Sequence, residues 1–229
     1  MQSLRRALVA GGTGLVGSEL LALLGADARY RNVTSLVRRE VTARDGVENC
    51  VISFADLDRL ALPEIDDAYC CLGTTRSTAG SDEAFRKVDL DYVLAYARAA
   101  RRAGAVRFLL VSSLGADANS RFLYTRTKGQ AEAGVSALGF DVVGIARPSF
   151  LVGQRAAARP AERAALVIAR IISPLMVGPL RRFRPIVVSK VAAALIQLAF
   201  VAPQGVTVLS SEEIAVAADK NNSLRAESP

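Results

Sequence analysis

The segment with the clearest chemical potential contains a tyrosine and a lysine four residues apart, Tyr124 and Lys128. On a helix this spacing places both side chains on one face, one turn from each other. A lysine ammonium at that distance stabilises a phenolate, so it lowers the pKa of a phenol from its free value of about 10. The pair therefore predicts an acid/base site that works near neutral pH. The alternative is a surface tyrosine beside a solvated lysine.

Two serines precede this pair at the end of a strand-like run. Ser112 and Ser113 lie 12 and 11 residues before Tyr124. A serine hydroxyl at that point can bind a substrate carbonyl while the tyrosine donates its proton. Strand alternation allows only one of the two side chains to face the site, and the sequence leaves open which one. An ordinary serine-rich strand end is the alternative.

A glycine-rich loop near the N-terminus has the spacing of a dinucleotide-binding motif, Gly11-x-x-Gly14-x-x-Gly17. It follows a strand predicted over Arg6–Ala10 and opens a helix predicted over Leu15–Leu24, which is the context that the motif requires. The helix N-terminus then presents free N–H groups and a positive dipole to a pyrophosphate. We therefore predict that the cofactor phosphates contact Gly11, Thr13, Gly14, Leu15, Val16 and Gly17.

The end of the second predicted strand, Val33–Val37, indicates which dinucleotide binds. An NAD enzyme commonly places an acidic residue there to accept from the ribose 2′-OH. This chain has Arg38 and Arg39, and Glu40 follows them. Guanidinium groups suit a 2′-phosphate in charge and in geometry, so the sequence predicts NADP (NADPH). A solvated basic turn is the alternative.

Two further segments carry candidate cofactor contacts. Asp56 follows the third predicted strand, where its carboxylate could accept from the adenine amine or cap a helix. Leu72, Gly73, Thr74 and Thr75 follow the fourth, at the sheet edge where ligands of open α/β sheets bind. An ordinary turn is the alternative for this second segment.

The elements that must position these residues alternate between short β-rich runs and helical stretches. This alternation predicts an α/β protein with a parallel sheet covered on both faces. We expect one doubly wound, mostly parallel Rossmann domain over residues 1–217, including a small C-terminal substrate-covering segment at 150–185. A long helix is expected at Asp82–Ala103, a helix capped by Ser189 at 189–201, and a frayed polar tail at 218–229.

Composition narrows the functional classes. The 229 residues include no histidine, which removes Ser-His hydrolase and His-ligated metal chemistry, so no metal site is predicted. The three cysteines lie in or near strand-like runs and predict buried thiols in a reducing cytoplasm. Pro203 and Gly205 divide the longest uncharged stretch, 191–211, so no stable membrane span is expected.

The net charge of +7 is uneven, because the segment Arg155–Arg184 holds seven arginines and one glutamate. This excess favours a small-molecule substrate that is anionic or lipid-derived, or contact with a membrane surface. Phe183 is the only aromatic residue among these arginines, which disfavours nucleic acid. A solvated basic rim is the alternative. The oligomeric state is not predicted.

In its motifs the chain resembles the short-chain dehydrogenase/reductase superfamily, in its extended or atypical branch. The resemblance is carried by the glycine loop, Val111-Ser112-Ser113, Tyr124-x-x-x-Lys128 and Arg147-Pro148-Ser149. Further motifs are similar to the HIV Tat-interacting oxidoreductase-like proteins and their bacterial relatives: Cys71-Leu72-Gly73-Thr74-Thr75-Arg76, Ala79-Gly80-Ser81, Val88-Asp89-x-Asp91-Tyr92 and Leu114-Gly115-Ala116-Asp117.

This resemblance implies a Rossmann fold that binds NADPH. It implies that Tyr124 is the catalytic acid/base, that Lys128 binds the nicotinamide ribose, and that the catalytic serine is Ser112 or Ser113. Backbone around Arg147, Pro148 and Ser149 would contact the nicotinamide end. The chain departs from the superfamily pattern at Asp89, where many members have an asparagine, and in a short Ser-to-Tyr segment.

The activity expected from these residues is an NADP-dependent oxidoreductase acting on a carbonyl/alcohol pair. A catalytically weak NADPH-binding regulatory or scaffold protein is the first alternative, since a fold does not fix a function. A sugar-nucleotide epimerase or dehydratase is the second. It would need a larger substrate domain than the roughly 80 residues after Arg147 provide.

Overall fold

Parallel strands form the centre of the protein. The computed structural model describes residues 3–152 and 184–226. The described strands are β1 Arg5–Ala10, β2 Tyr30–Val37, β3 Glu48–Val51, β4 Asp67–Cys70, β5 Arg107–Val111, β6 Val142–Arg147, β7 Leu151–Val152, β8 Ile186–Val187 and β9 Gly205–Ser210. Seven of them form one sheet in the order β3-β2-β1-β4-β5-β6-β9. Every neighbouring pair in this sheet is parallel, which sends all seven carboxyl ends to one edge.

Helices connect these strands. They are α1 Leu15–Gly25, α2 Arg76–Ala79, α3 Asp82–Arg86, α4 Tyr92–Arg102, α5 Leu123–Ser136, α6 Val188–Val201 and α7 Ser211–Ala226. A π-helical turn, Lys87–Asp91, joins α3 to α4 without a break. The predicted helix over Asp82–Ala103 is therefore continuous but wider in its second turn. It ends at Arg102, and Gly104 two residues later has a φ of +94°, which favours glycine.

The sheet separates two apolar cores. Residues of α4 and α5, including Tyr96 and Val135, pack on one face. Residues of α1 and α6, including Leu20 and Leu195, pack on the other. Strand β1 lies between them and pairs with β2 on one side and β4 on the other. This arrangement confirms the predicted doubly wound Rossmann fold and puts the topological switch point beside the end of β1.

The C-terminal elements differ from the sequence expectation in two places. Ser189 does not cap α6, because that helix begins at Val188 and no side chain caps it. Helix α7 continues to Ala226, past the predicted start of the frayed tail at residue 218. Ile214 and Ala218 lie one turn apart on its buried face and pack into the core, which extends the helix into the polar stretch.

The described helices are too short or too polar to cross a bilayer, within residues 3–152 and 184–226. Most of the predicted substrate-covering segment and of the arginine-rich stretch falls in 153–183, outside the described residues.

Candidate functional site

A cleft of about 670 Å³ opens at the carboxyl edge of the sheet, beside the switch point between β1 and β4. Its walls come from the glycine loop, the ends of β2, β4 and β5, the α3–α4 region and the first turns of α5. Predicted site residues that line it are Gly11, Thr13, Gly14, Leu15, Val16, Arg38, Leu72, Gly73, Thr74, Thr75, Ser112, Tyr124 and Lys128. The fold thus brings the glycine loop and the Tyr-Lys pair into one cavity.

The three glycines of the loop have different steric environments. A Cβ on Gly11 would lie 2.5 Å from the backbone of Cys71, and a Cβ on Gly17 would lie 2.1 Å from the Gly11 carbonyl oxygen. A Cβ on Gly14 would meet only that same oxygen, at 3.3 Å, and would otherwise project into free space. Gly11 and Gly17 are therefore required by the packing of strand, loop and helix. At Gly14 the free space is part of the cleft.

The loop and the start of α1 fit a pyrophosphate. Gly14 is the N-cap of α1 and supplies no side chain to its first turn, and that turn contains no acidic residue. Its N–H groups and its positive dipole end can therefore take an anion. The volume of the cleft lies in the range of cofactor and small-molecule sites. The residues present thus fit a dinucleotide along the glycine loop.

The ring of Tyr124 packs against a second aromatic ring, that of Phe85. The rings of Phe85 and Tyr124 stack with centroids 5.7 Å apart and an interplanar angle of 26°. Phe85 is fully buried, whereas Tyr124 remains 40% exposed at the cleft. A rigid ring on one side and solvent on the other leave the phenolic hydroxyl accessible to a ligand.

Ser112 faces the same cleft from the end of β5. It is buried, and within the described residues its Oγ has no hydrogen-bond partner. Its backbone N–H donates to the Ala146 carbonyl at 2.8 Å, which fixes the strand end. Buried hydroxyls usually find partners, so an unpartnered one that lines a cavity indicates a place for a ligand oxygen. Ser113 is buried but does not line the cleft.

Lys128 lies deep in the cleft and is paired with an acid. Its Nζ is 2.7 Å from Oδ1 of Asp89, and both side chains are buried. Burial by itself lowers the pKa of the Lys128 ammonium, but the charge and hydrogen bond of Asp89 together with the charges of Tyr124 and Cys70 outweigh it, and the net pKa is raised above its ordinary value. Lys128 therefore enters the site as a cation.

Arg38 lies at the open end of the cleft, directly after β2, and is exposed. Arg39 is also exposed, but it does not line the cleft.

Cys71 lines the cleft beside the glycine loop, and burial raises the pKa of its thiol, as it raises that of Cys70 to about 12. These thiols are protonated at neutral pH and are poor nucleophiles.

Asp56 lies elsewhere than predicted. It ends a 3₁₀ turn, Phe54–Asp56, and is exposed outside the cleft, whereas Phe54 from the same turn is buried and lines it. It does not cap this turn either, since Ser53 holds that position. The short turn rotates successive side chains to different sides, which a strand-end position in the sequence does not reveal.

The Arg147–Ser149 segment also lies outside the cleft lining. Nε of Arg147 donates to Glu132 of α5 at 3.0 Å, and neither side chain belongs to the cleft lining. The Pro148 carbonyl accepts from Leu114 N–H at 2.9 Å, and Ser149 N–H donates to Ser211 Oγ at 2.7 Å. These bonds fix the end of β6, and Leu151 just beyond it lines the cleft instead.

Several cleft residues were not predicted as site residues. They are aromatic or aliphatic groups whose signal in the sequence is that of core residues: Leu36, Val37, Phe54, Ala84, Val88, Tyr92, Val111 and Leu151. Phe54 and Tyr92 form a tilted aromatic pair with centroids 5.9 Å apart. Only the packing of separate elements shows that these side chains border a cavity.

A family model described as NAD(P)H-binding matches residues 11–164, from the glycine loop to beyond β6. The chain belongs to this NAD(P)H-binding family. The match begins at the loop whose geometry fits a pyrophosphate and includes the serine, tyrosine and lysine of the cleft. The sequence prediction of a nicotinamide dinucleotide domain is confirmed at that level.

Relatives within this NAD(P)H-binding family agree with the predicted resemblance. Protein HTATIP2 of Rattus norvegicus is 40% identical over 160 residues, which cover 67% of this chain and 66% of that protein, slightly under two thirds of its length. Protein fmp52, mitochondrial, of Emericella nidulans is 40% identical over 164 residues, covering 68% of this chain and 70% of that protein. The resemblance to the Tat-interacting oxidoreductase-like proteins is therefore confirmed.

Solved structures show the same fold. MoeE5 in complex with UDP-glucose and NAD superimposes with a TM-score of 0.66 at 20% identity, over 95% of this chain and 82% of that one. At this identity the likeness shows the Rossmann-type fold alone and does not carry an activity.

The predicted cytoplasmic location is wrong. Relatives from Emericella nidulans, Scheffersomyces stipitis, Debaryomyces hansenii and Candida albicans are all named mitochondrial proteins. The prediction relied on unpaired thiols, and the described structure does keep all three as free cysteines. Free thiols indicate a reducing surrounding but do not identify the compartment that provides it.

Proposed function

We propose that this protein is an NADP-dependent oxidoreductase that reduces a carbonyl or oxidises the corresponding alcohol. The observation that supports it most is that Ser112, Tyr124 and Lys128 line one cleft together with the glycine loop. An NAD(P)H-binding domain that only stores or senses cofactor has no need for a proton donor at the same place. A bound nicotinamide would supply or accept the hydride.

Each residue of the cleft has a distinct role in this proposal. The unpartnered Ser112 Oγ donates a hydrogen bond to the substrate carbonyl oxygen and orients it. The Tyr124 hydroxyl, accessible at the cleft, gives its proton to that oxygen as negative charge develops there. In the oxidation direction the same hydroxyl takes the proton from the alcohol.

Lys128 contributes positive charge at the base of the site. Its buried ammonium stabilises negative charge that appears on the Tyr124 oxygen after proton transfer, one helical turn away. In this proposal the same ammonium would also hold the nicotinamide ribose through a hydrogen bond. Asp89 pairs with this ammonium, and the Thr74 backbone N–H in turn donates to Asp89.

The activity is tested by incubating the purified protein with NADPH and a panel of aldehydes and ketones and following loss of NADPH absorbance. Oxidation of NADPH that depends on one of these carbonyls, with the matching alcohol identified by mass spectrometry, supports the proposal. A panel that spans aliphatic, aromatic, anionic and lipid-derived carbonyls without turnover contradicts it. We propose an anionic or lipid-derived substrate on the charge of the arginine-rich segment alone, which lies mostly outside the described residues.

Cofactor preference gives the first quantitative prediction. NADPH is expected to bind at least about tenfold more tightly than NADH, about 1.4 kcal/mol, since Arg38 borders the cleft where an NAD enzyme has a carboxylate. Arg38→Ala should remove this preference by weakening NADPH binding and leaving NADH binding unchanged. Fluorescence titration of each protein with both cofactors measures it.

Arg39→Ala is the matched control, because it removes the same charge from the next residue, whose side chain does not line the cleft. It should retain most of the preference. Equal affinities of the wild-type protein for NADPH and NADH would contradict the assignment of NADP. If only Arg39→Ala loses the preference for NADPH, the residue that contacts the 2′-phosphate is Arg39 and not Arg38.

A further inference from the structure

Two pairs of side chains face each other across the interface between two helices. Tyr124 and Lys128 are spaced i, i+4 on α5, and Phe85 and Asp89 have the same spacing on the segment formed by α3 and the π-helical turn. Phe85 stacks on Tyr124, with centroids 5.7 Å apart. Asp89 pairs with Lys128 at 2.7 Å. Each member of the proposed acid/base pair thus has one partner, and both partners come from one helical segment.

Both partners are completely buried, with 0% exposure of Phe85 and of Asp89. A buried carboxylate is costly unless it is paired and hydrogen-bonded. Asp89 meets both conditions, because its Oδ2 accepts from the Thr74 backbone N–H at 2.8 Å while Oδ1 faces Lys128. A single side chain therefore connects Lys128 to the loop after β4 that borders the cleft.

We propose that Phe85 and Asp89 are positioning residues, Phe85 for the ring of Tyr124 and Asp89 for the ammonium of Lys128, so that the α3–π-turn segment assembles the acid/base pair before cofactor or substrate binds. This inference rests on the proposed function for its catalytic consequence. The pairing itself is independent of any reaction and can be measured without one.

The negative charge of Asp89 matters for this role, beyond its ability to hydrogen-bond. Lys128 is faced by Asp89, by the Tyr124 hydroxyl and by the buried Cys70 thiol. Of these, only Asp89 is a carboxylate that can keep a buried ammonium charged at neutral pH. An asparagine at position 89 could still accept from Thr74, but it would leave the buried charge of Lys128 without compensation.

The first test uses Asp89→Asn and the titration of Lys128. The chain contains only four lysines, at positions 87, 128, 190 and 220, so ¹⁵N-labelled lysine side chains give few NMR signals, and Lys128→Arg identifies the relevant one. In the wild-type protein Lys128 should stay protonated to a higher pH than an ordinary lysine. In Asp89→Asn its midpoint should fall by about 1–3 pH units, because the carboxylate no longer opposes the effect of burial.

Asp91→Asn is the matched control, because it removes a carboxylate from the same π-helical turn at an exposed position. Its Lys128 midpoint should equal that of the wild-type protein. An unchanged midpoint in a folded Asp89→Asn protein would overturn the assignment of Asp89. An equal fall in Asp91→Asn would also overturn it. The shift would then follow from the loss of any nearby negative charge and not from the contact between Asp89 and Lys128.

The second test uses Phe85→Leu. Loss of the flat support should let the Tyr124 ring rotate, so kcat should fall by about tenfold to a hundredfold while NADPH affinity and the Lys128 midpoint stay unchanged. Phe108→Leu is the control, because Phe108 is equally buried but packs against Tyr96 and Phe140, away from the cleft. It should lose a similar amount of stability and keep its kcat. Equal kcat losses in both variants would overturn the role of Phe85.

The outcomes separate this inference from the proposed function. If no carbonyl is turned over by the wild-type protein, the proposed function fails, and the Lys128 titration still decides whether Asp89 positions the lysine. If turnover is found but neither variant differs from its control, the proposed function stands and the positioning roles are wrong.

Discussion

Replacement of Tyr124 by phenylalanine should lower turnover at least about a hundredfold and leave NADPH affinity nearly unchanged. A positioned general acid contributes about 10²–10⁴-fold to a reaction, and this substitution removes only the hydroxyl that would supply the proton. The phenyl ring can keep its stacking on Phe85, so the shape of the cleft is retained. Steady-state kinetics on a carbonyl found by screening, together with NADPH titration, measure both effects.

Tyr92→Phe provides the matched control for this experiment. Tyr92 lines the same cleft and packs against Phe54, but it is not part of the proposed proton path. Its kcat should stay within about threefold of wild type, well below the effect of a lost general acid. Undiminished turnover in Tyr124→Phe would rule out Tyr124 as the acid/base.

The regulatory alternative makes a different set of predictions. It expects no substrate in a broad carbonyl panel, normal NADPH binding by Tyr124→Phe, and a conformational response to NADPH that survives this substitution. Hydrogen exchange with and without NADPH measures that response. A response of this kind together with robust Tyr124-dependent turnover would favour the enzyme.

Much of the fold follows from local sequence signals. Buried parallel strands have apolar runs bounded by turns, so the strand predicted over Arg6–Ala10 matches β1 to within one residue. The extent of the C-terminal helix was harder to predict, because it depends on packing against the rest of the protein. Helix α7 continues through a polar stretch because Ile214 and Ala218 pack into the core, and the polar residues around them suggested a frayed tail.

The parts of the site that lie within one element were also predictable. The glycine loop is a single strand-to-helix turn, and Tyr124 and Lys128 share one helix face, so spacing alone places their side chains together. The predicted phosphate contacts of the loop, Tyr124 and Lys128 all border the cleft except Gly17. Gly17 is required instead by the packing of strand, loop and helix.

Side chains whose position depends on a second element were not predictable. The sequence marked Asp89 as an unusual residue, but its contact with Lys128, 39 residues later, depends on the packing of two helical segments. Arg147 ends β6 at the cleft edge of the sheet, yet it pairs with Glu132 of α5 and does not line the cleft. Such pairings are decided by tertiary packing and leave no periodic pattern.

Gly14→Val should abolish NADPH binding while the protein remains folded. The backbone at Gly14, with φ −79° and ψ 172°, is extended and accessible to any residue, and a Cβ there would meet only the Gly11 carbonyl oxygen, at 3.3 Å. A branched side chain at this N-cap position should cost about 1 kcal/mol of stability, or about 2–4 °C in Tm. In the cleft it would occupy the space through which a pyrophosphate approaches the first turn of α1.

We expect the Kd for NADPH to rise at least about a hundredfold, or ~2.7 kcal/mol, in fluorescence titrations, with Tm measured on the same samples. Gly17→Ala is the informative comparison, because its Cβ would lie 2.1 Å from the Gly11 carbonyl oxygen and must distort the loop itself. That variant should lose much of both its stability and its binding, whereas Gly14→Val should lose binding with only the small decrease in stability given above. A folded Gly14→Val protein with wild-type NADPH affinity would show that the phosphates bind elsewhere, since no pyrophosphate could lie against this loop with a valine in its path.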